Sequence, residues 1–256
     1  MKKRTCWTAG LGILFFVLSA HWAGAEMREF KLPDGRAIKA EIVSFNGKLG
    51  KVELKLANGK LKKVKPGIFV EEDQQFIKEW AAVKGFLNKT FFKISCQKDL
   101  VEKWKDNIVG KVSYGGGGAE TETVGEMKFE KFAYKVLLDN RNDVPLENIV
   151  VEYCIFCKEK GKGRWEDRPG WFSKETPGTI AIDKLPAKSK KTEVTKPAVI
   201  ARQEILGDFA NSYEKISAEM EGVWVRVTIK TPSGQTATRE IFKPETLRGK
   251  HAWPKK

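Results

Sequence analysis

AIKAEIVSFNGKLGKVELKLANGKLKKV, residues 37–64, is the stretch whose pattern settles how this chain folds. Ile38, Ala40 and Ile42 alternate with Lys39 and Glu41, and Val52, Leu54 and Leu56 alternate with Lys51, Glu53 and Lys55. A two-residue period puts each apolar set on one face of a sheet and each charged set in water. Asn46-Gly47 and Asn58-Gly59 supply the positive φ of tight hairpin turns. Working outward, residues 60–64 read as a further short strand, Asp34-Gly35 as another turn, and residues 27–31 as a first strand. From Glu71 the period changes. Phe76, Ile77 and Trp80 fall at helical spacing behind Glu71-Glu72-Asp73, whose charges suit a helix N-terminus. The expectation is a small β-meander with a helix covering one open side.

These residues resemble the type-one Sla homology domain (SHD), a small SH3-like module. The similarity runs through Arg28-x-Phe30, Asp34-Gly35-Arg36, Ala40-Glu41-Ile42-Val43, Gly47-Lys48, Asn58-Gly59-Lys60, Val64 and Glu71-Glu72-Asp73-Gln74, about 55 of 256 residues. Val70 stands where the family usually has a serine capping the helix, and Leu49-Gly50 reads as a local insertion. The resemblance implies an SH3-like barrel and a non-catalytic role, because the family's eukaryotic members are endocytic adaptors that bind short peptide motifs. From the residues themselves, Arg36, Lys48 and Trp80 are the candidate rim of a binding surface on this module.

Upstream, Lys2-Lys3-Arg4, the apolar residues 11–18 and Ala23-Gly24-Ala25 have the layout of a secretory signal. The apolar run is shorter than the ~20 residues that cross a bilayer. Cleavage after Ala25 is expected, with export to the periplasm or beyond and no membrane span in the mature chain. Losing those three cations takes the formal charge from +14 to +11. The lysines are scattered among acids, so a solvated basic surface is expected rather than a nucleic-acid site, and export itself makes nucleic acid an unsuitable partner. Three cysteines remain, Cys96, Cys154 and Cys157, together with one histidine, His251. That scarcity removes Ser-His and Cys-His nucleophile pairs and most zinc sites; no metal or cofactor is expected.

Residues 85–256 form a second module. Phe92, Ile94 and Cys96 alternate, residues 104–112 give another short stretch, and the glycines at 115–118 read as a hairpin tip or loop. Strands are expected at 127–139, 149–157, 191–199, 222–230 and 236–242, with turns at 140–145 and 232–234. Residues 201–220 read as either helix or strand. Short strands at this spacing predict an immunoglobulin-like β-sandwich. The fold expected is therefore mainly β: residues 26–84 an SH3-like barrel with a C-terminal helix, residues 85–256 a sandwich.

Cys154-Ile155-Phe156-Cys157 has redox spacing, but it lies in a β pattern, where an offset of three puts the two thiols on opposite faces. A bridge from Cys96 to either remains open; buried free thiols are the default. Residues 164–172 read as a loop carrying Trp165, Trp171 and Phe172, which either plug one end of the sandwich or stack on a sugar or partner protein. Neighbouring acids such as Glu120 and Glu122 carry no spatial information. The functional expectation is an exported, non-catalytic adaptor recognising a protein or peptide of the cell envelope. The alternatives are a glycan-binding protein using Trp165, Trp171 and Phe172, and a hydrolase or thiol oxidoreductase.

Overall fold

The computed structural model describes residues 27–113, 115, 117–162, 169–207 and 216–254. The expected signal segment and Trp165 lie outside the described residues. Strands Arg28–Lys31 (β1), Ala37–Asn46 (β2), Lys51–Leu56 (β3) and Leu61–Val64 (β4) pair in sequence order as one antiparallel meander. The alternation places Phe30, Ala40, Ile42, Val52 and Leu54 on the buried face, where Phe69 and Ile77 join them. A register shift between Ile42 and Ser44 leaves Val43 outside the alternation and exposed.

Helix α1, Glu71–Leu87, follows a 3-10 turn at Pro66–Ile68. Val70 offers no side-chain cap. Asp73 in the first turn is committed instead to β1, accepting from the Lys31 N–H at 2.7 Å and from the Arg28 guanidinium at 3.0 Å. One face of α1, with Phe76, Ile77 and Trp80, packs on the meander. A second, with Ala82, Val83 and Phe86, belongs to the core of the larger module. Residues at i, i+3 and i+4 share a face, so two such sets offset around the axis bury one helix against two bodies.

The second module is built from Phe92–Ser113 (β5), Ala119–Asn140 (β6), Leu146–Lys162 (β7), Pro169–Leu185 (β8), Ser189–Val194 (β9), Ala198–Ile205 (β10), Ser217–Lys230 (β11) and Thr236–Lys243 (β12). One antiparallel sheet has the order β10-β6-β5, with β9 continuing the β10 edge along β6. The other has the order β12-β11-β7-β8. Phe132, Tyr134, Val136 and Leu138 of the first sheet meet Ile149, Val151, Tyr153 and Ile155 and Val223, Val225, Val227 and Ile229 of the second. The result is a β-sandwich, and the chain as a whole is mainly β.

Three sequence expectations need correction, and one left open is decided for the described residues. The two stretches expected around 92–96 and 104–112 are one strand, β5, which pairs with β6 along its length. At about 3.3 Å per residue these 22-residue strands run roughly 70 Å. Trp171 and Phe172 stand in strand β8, paired with Lys160 and Glu159, and not in a loop. The strand expected at 191–199 is two, β9 and β10, divided near Thr195. Residues 201–205 and 217–220 are strand, while 208–215 lie outside the described residues.

The turn at 140–145 is the joint between modules. Asn140 is fully buried and donates to the Val144 and Pro186 carbonyls at 3.1 and 2.9 Å. Asn142 donates to the Ala81 carbonyl of α1 at 3.1 Å. Asp143 lies so close to Gly47 in the β2–β3 turn that a Cβ there would sit 2.1 Å from the Asp143 Cβ. Arg239 of β12 donates to the Phe86 carbonyl at 2.9 Å and the Phe92 carbonyl at 2.5 Å, binding the helix end to the start of β5.

Residues 244–254 cross the outer face of the β12-β11-β7-β8 sheet, covering Cys154, Phe156 and Phe242 with Leu247 and His251. Gly222 permits this path. Its φ is +150°, and a Cβ would lie 2.1 Å from the Lys243 carbonyl oxygen.

Candidate functional site

The two edges of the meander are treated differently. The β1 edge is occupied at Lys31: Asp73 takes the Lys31 N–H, and the Lys31 carbonyl accepts from Val70 N at 2.9 Å. Among the described residues, β4 pairs with β3 alone. Leu56 N donates to the Lys60 carbonyl, and Leu54 and Val52 stand opposite Lys62 and Val64. Alternation along an antiparallel ladder then turns the main-chain groups of Leu61 and Lys63 away from β3. The Leu61 side chain is 58% exposed beside them.

The charge at this edge is of one sign. Residues 48–65 carry seven lysines (Lys48, Lys51, Lys55, Lys60, Lys62, Lys63 and Lys65) against the single acid Glu53. Among the described residues, Lys63 alone of these has an ion-pair partner, Glu53 at 3.6 Å. Unsatisfied strand groups, an exposed leucine and unneutralised cations therefore coincide. The lysine density was visible in the sequence; which edge stands open was not.

The residues expected at a rim are not brought together. Arg36 and Lys48 flank opposite ends of β2, whose ten residues span roughly 30 Å. Arg36 is spent on Asp34 at 2.6 Å, and this pair holds the Asp34 carboxyl below its usual range. Lys48 is exposed in the turn next to the basic strands. Trp80 is half-buried on the helix, packed on the meander core with the Lys84 ammonium 5.8 Å from its ring. Trp171 and Phe172 are 49% and 37% exposed. As neighbours on a strand they point to opposite faces, so they do not form one stacking platform.

The three thiols are unpaired. Cys157 lies in the sandwich core and Cys154 under residues 244–254 on the opposite face. Burial pushes Cys157 up to about 11 and Cys154 and Cys96 up to about 12, so each stays a neutral thiol near pH 7. No group of three or more His, Cys, Asp or Glu among the described residues is placed to hold a metal ion. Beneath residues 244–254, Glu221 Oε2 and His251 Nε2 are 3.2 Å apart but not aligned as a hydrogen bond. The Trp224 indole N–H is also buried with no hydrogen-bond partner among the described residues.

A concavity of about 280 Å³ opens where α1 meets the end of the sandwich. Glu79 reaches into this joint. It accepts from Gln75 at 3.1 Å and from the Ser233 hydroxyl. Burial alone would raise the Glu79 carboxyl; the hydrogen bonds from Ser233, Gln75 and Thr231 outweigh it and hold the group below its ordinary value. No local pattern pointed to Glu79, because its partner Ser233 lies 154 residues away.

No family model matches the chain, and no curated protein matches it either. Among solved structures, the X-ray structure of Northeast Structural Genomics Consortium target SoR45 is 8% identical with a TM-score of 0.26. The match covers 66% of this chain and 98% of that one. Among the described residues, no helix is long and apolar enough to cross a membrane.

Proposed function

We propose that this chain is an exported, non-catalytic adaptor that recognises an extended segment of a partner protein by strand addition to the β4 edge. The observation that carries this reading is the open edge at Leu61–Val64, flanked by lysines, on a meander whose other edge is occupied at Lys31. Strand addition draws affinity from main-chain hydrogen bonds and selectivity from alternate side chains. Lysines along an edge also repel a second copy of the same edge, so the partner selected is acidic. The resemblance of residues 28–74 to the SHD module, and the secretory layout of the first 25 residues, support an adaptor acting in the cell envelope.

The test is fluorescence anisotropy of the full chain against ten-residue peptides graded in Asp and Glu content. Affinity is expected to rise with acidic content, weaken with salt, and be lost on reversing Lys62 and Lys63 to Glu. Equal binding of neutral and acidic peptides, or no effect of the reversal, would refute it. Trp171, about half exposed on β8, supports a second reading, glycan stacking. Retained glycan-array binding after Trp171→Ala would dismiss that one.

A further inference from the structure

The joint between the modules holds two lysines, Lys78 and Lys230, with no ion-pair partner among the described residues. The concavity there, about 280 Å³, is floored by Ala82 of α1 and by Leu146 and Ile229 of the sandwich, with Pro145 and Pro232 at its walls. Four charged side chains line it. Glu79 is engaged by Gln75 and Ser233, and Glu147 pairs with Lys184 at 2.9 Å. Lys78 and Lys230 are exposed and have no ion-pair partner among the described residues. The Glu79 oxygens are taken up by the neutral donors Gln75 and Ser233 and Glu147 by Lys184, whereas neither lysine has an ion-pair partner among the described residues. An apolar floor beneath two free ammonium groups suits a group with one apolar end and one negative end.

The geometry points to a ligand site at this joint for a small apolar carboxylate, its hydrocarbon on Ala82, Leu146 and Ile229 and its carboxylate between Lys78 and Lys230. The volume sits at the lower limit of ligand pockets. At roughly 30 Å³ of liquid volume per water, it holds a branched chain of leucine size and little more. Such chemistry is offered by the C-terminal residue of a peptide and by a free short-chain acid. The site uses residues of both modules and is independent of the β4 edge, so either can fail alone.

Isothermal titration of the full chain with 4-methylpentanoate and with 4-methylpentanamide tests it. The acid is expected to bind saturably by about 10 mM, as suits so small a ligand, and the amide about tenfold more weakly. Lys78→Met with Lys230→Met, both at exposed positions, should cost the acid about tenfold and leave the amide and the melting temperature unchanged. A leucine-terminated pentapeptide acid separates the sources. Tighter binding than the small acid assigns a peptide C-terminus, and equal or weaker binding assigns a free acid; both orderings support the site. Equal affinity for acid and amide, no saturable binding of the acid, or indifference to the lysine pair would overturn it.

Discussion

Truncating Phe86 to alanine probes the helix that the two cores share. Phe86 is fully buried, lies 4.9 Å from the Phe92 ring and belongs to the sandwich core, although it extends from the helix that also closes the meander. Removing a buried phenylalanine ring costs about 3–5 kcal/mol, the transferred surface and the cavity together. Loss of the ring pair with Phe92 places this site in the upper half of that range. A domain has only about 5–15 kcal/mol to lose. Since α1 contributes Ile77 to one core and Val83 and Phe86 to the other, the damage should pass through the helix to the meander. Urea unfolding followed at a 5-fluorotryptophan probe reads both bodies, with Trp80 reporting the meander and Trp224 the sandwich. Both signals are expected to move to lower urea together and by the same amount. If the Trp224 transition moves while the Trp80 transition stays, the two bodies unfold separately and the shared-helix account is wrong.

Three further outcomes follow from the same contacts. Gly222→Ala forces a side chain onto the Lys243 carbonyl at a φ of +150°, which should destabilise by about 3 kcal/mol or more; a loss below 1 kcal/mol on urea unfolding would contradict the close approach. Glu79 has a folded value below its ordinary 4.5, so its contribution is present above the unfolded value and lost as pH falls through the folded one. The stability gap between the native chain and Glu79→Gln should accordingly be full at pH 7 and shrink below pH 4; a gap that widens in acid has the wrong sign. Thiols held up at about 11 to 12 by burial should alkylate with iodoacetamide at pH 8 far more slowly in the native chain than in urea. Fast native labelling of Cys157, read by mass spectrometry, would reopen thiol chemistry.

How far the sequence carried this reading depends on solvation. The strands at 37–64 were legible because one face is buried and the other wet, which writes a period of two into the residues, whereas 149–157, buried on both faces from Tyr153 to Cys157, shows as a nearly continuous apolar run. The middle of β5, from Val101 to Asn107, is exposed on both faces, so no alternation marks it and one strand reads as two. β8 is an edge strand carrying Pro169, Gly170, Pro177 and Gly178. An edge tolerates these residues where a central strand would not, and they disguised it as a loop. For the candidate sites the limit is range. The lysines at 60–65 are plain in the sequence, but that their strand stands at the edge of the meander follows only from the order in which the strands pair. The cleft joins residues 78–82 to 145–147 and 229–232, a meeting that no local pattern announces.

The most direct measurement of the central claim is amide hydrogen exchange at Leu61 and Lys63 in the full chain, with and without a saturating Asp/Glu-rich ten-residue peptide. Both amides should exchange quickly when the chain is free and become protected on binding. That protection should vanish in the Lys62→Glu, Lys63→Glu variant. Protection of these two amides already in the free chain, or binding that leaves them unprotected, would contradict strand addition at β4.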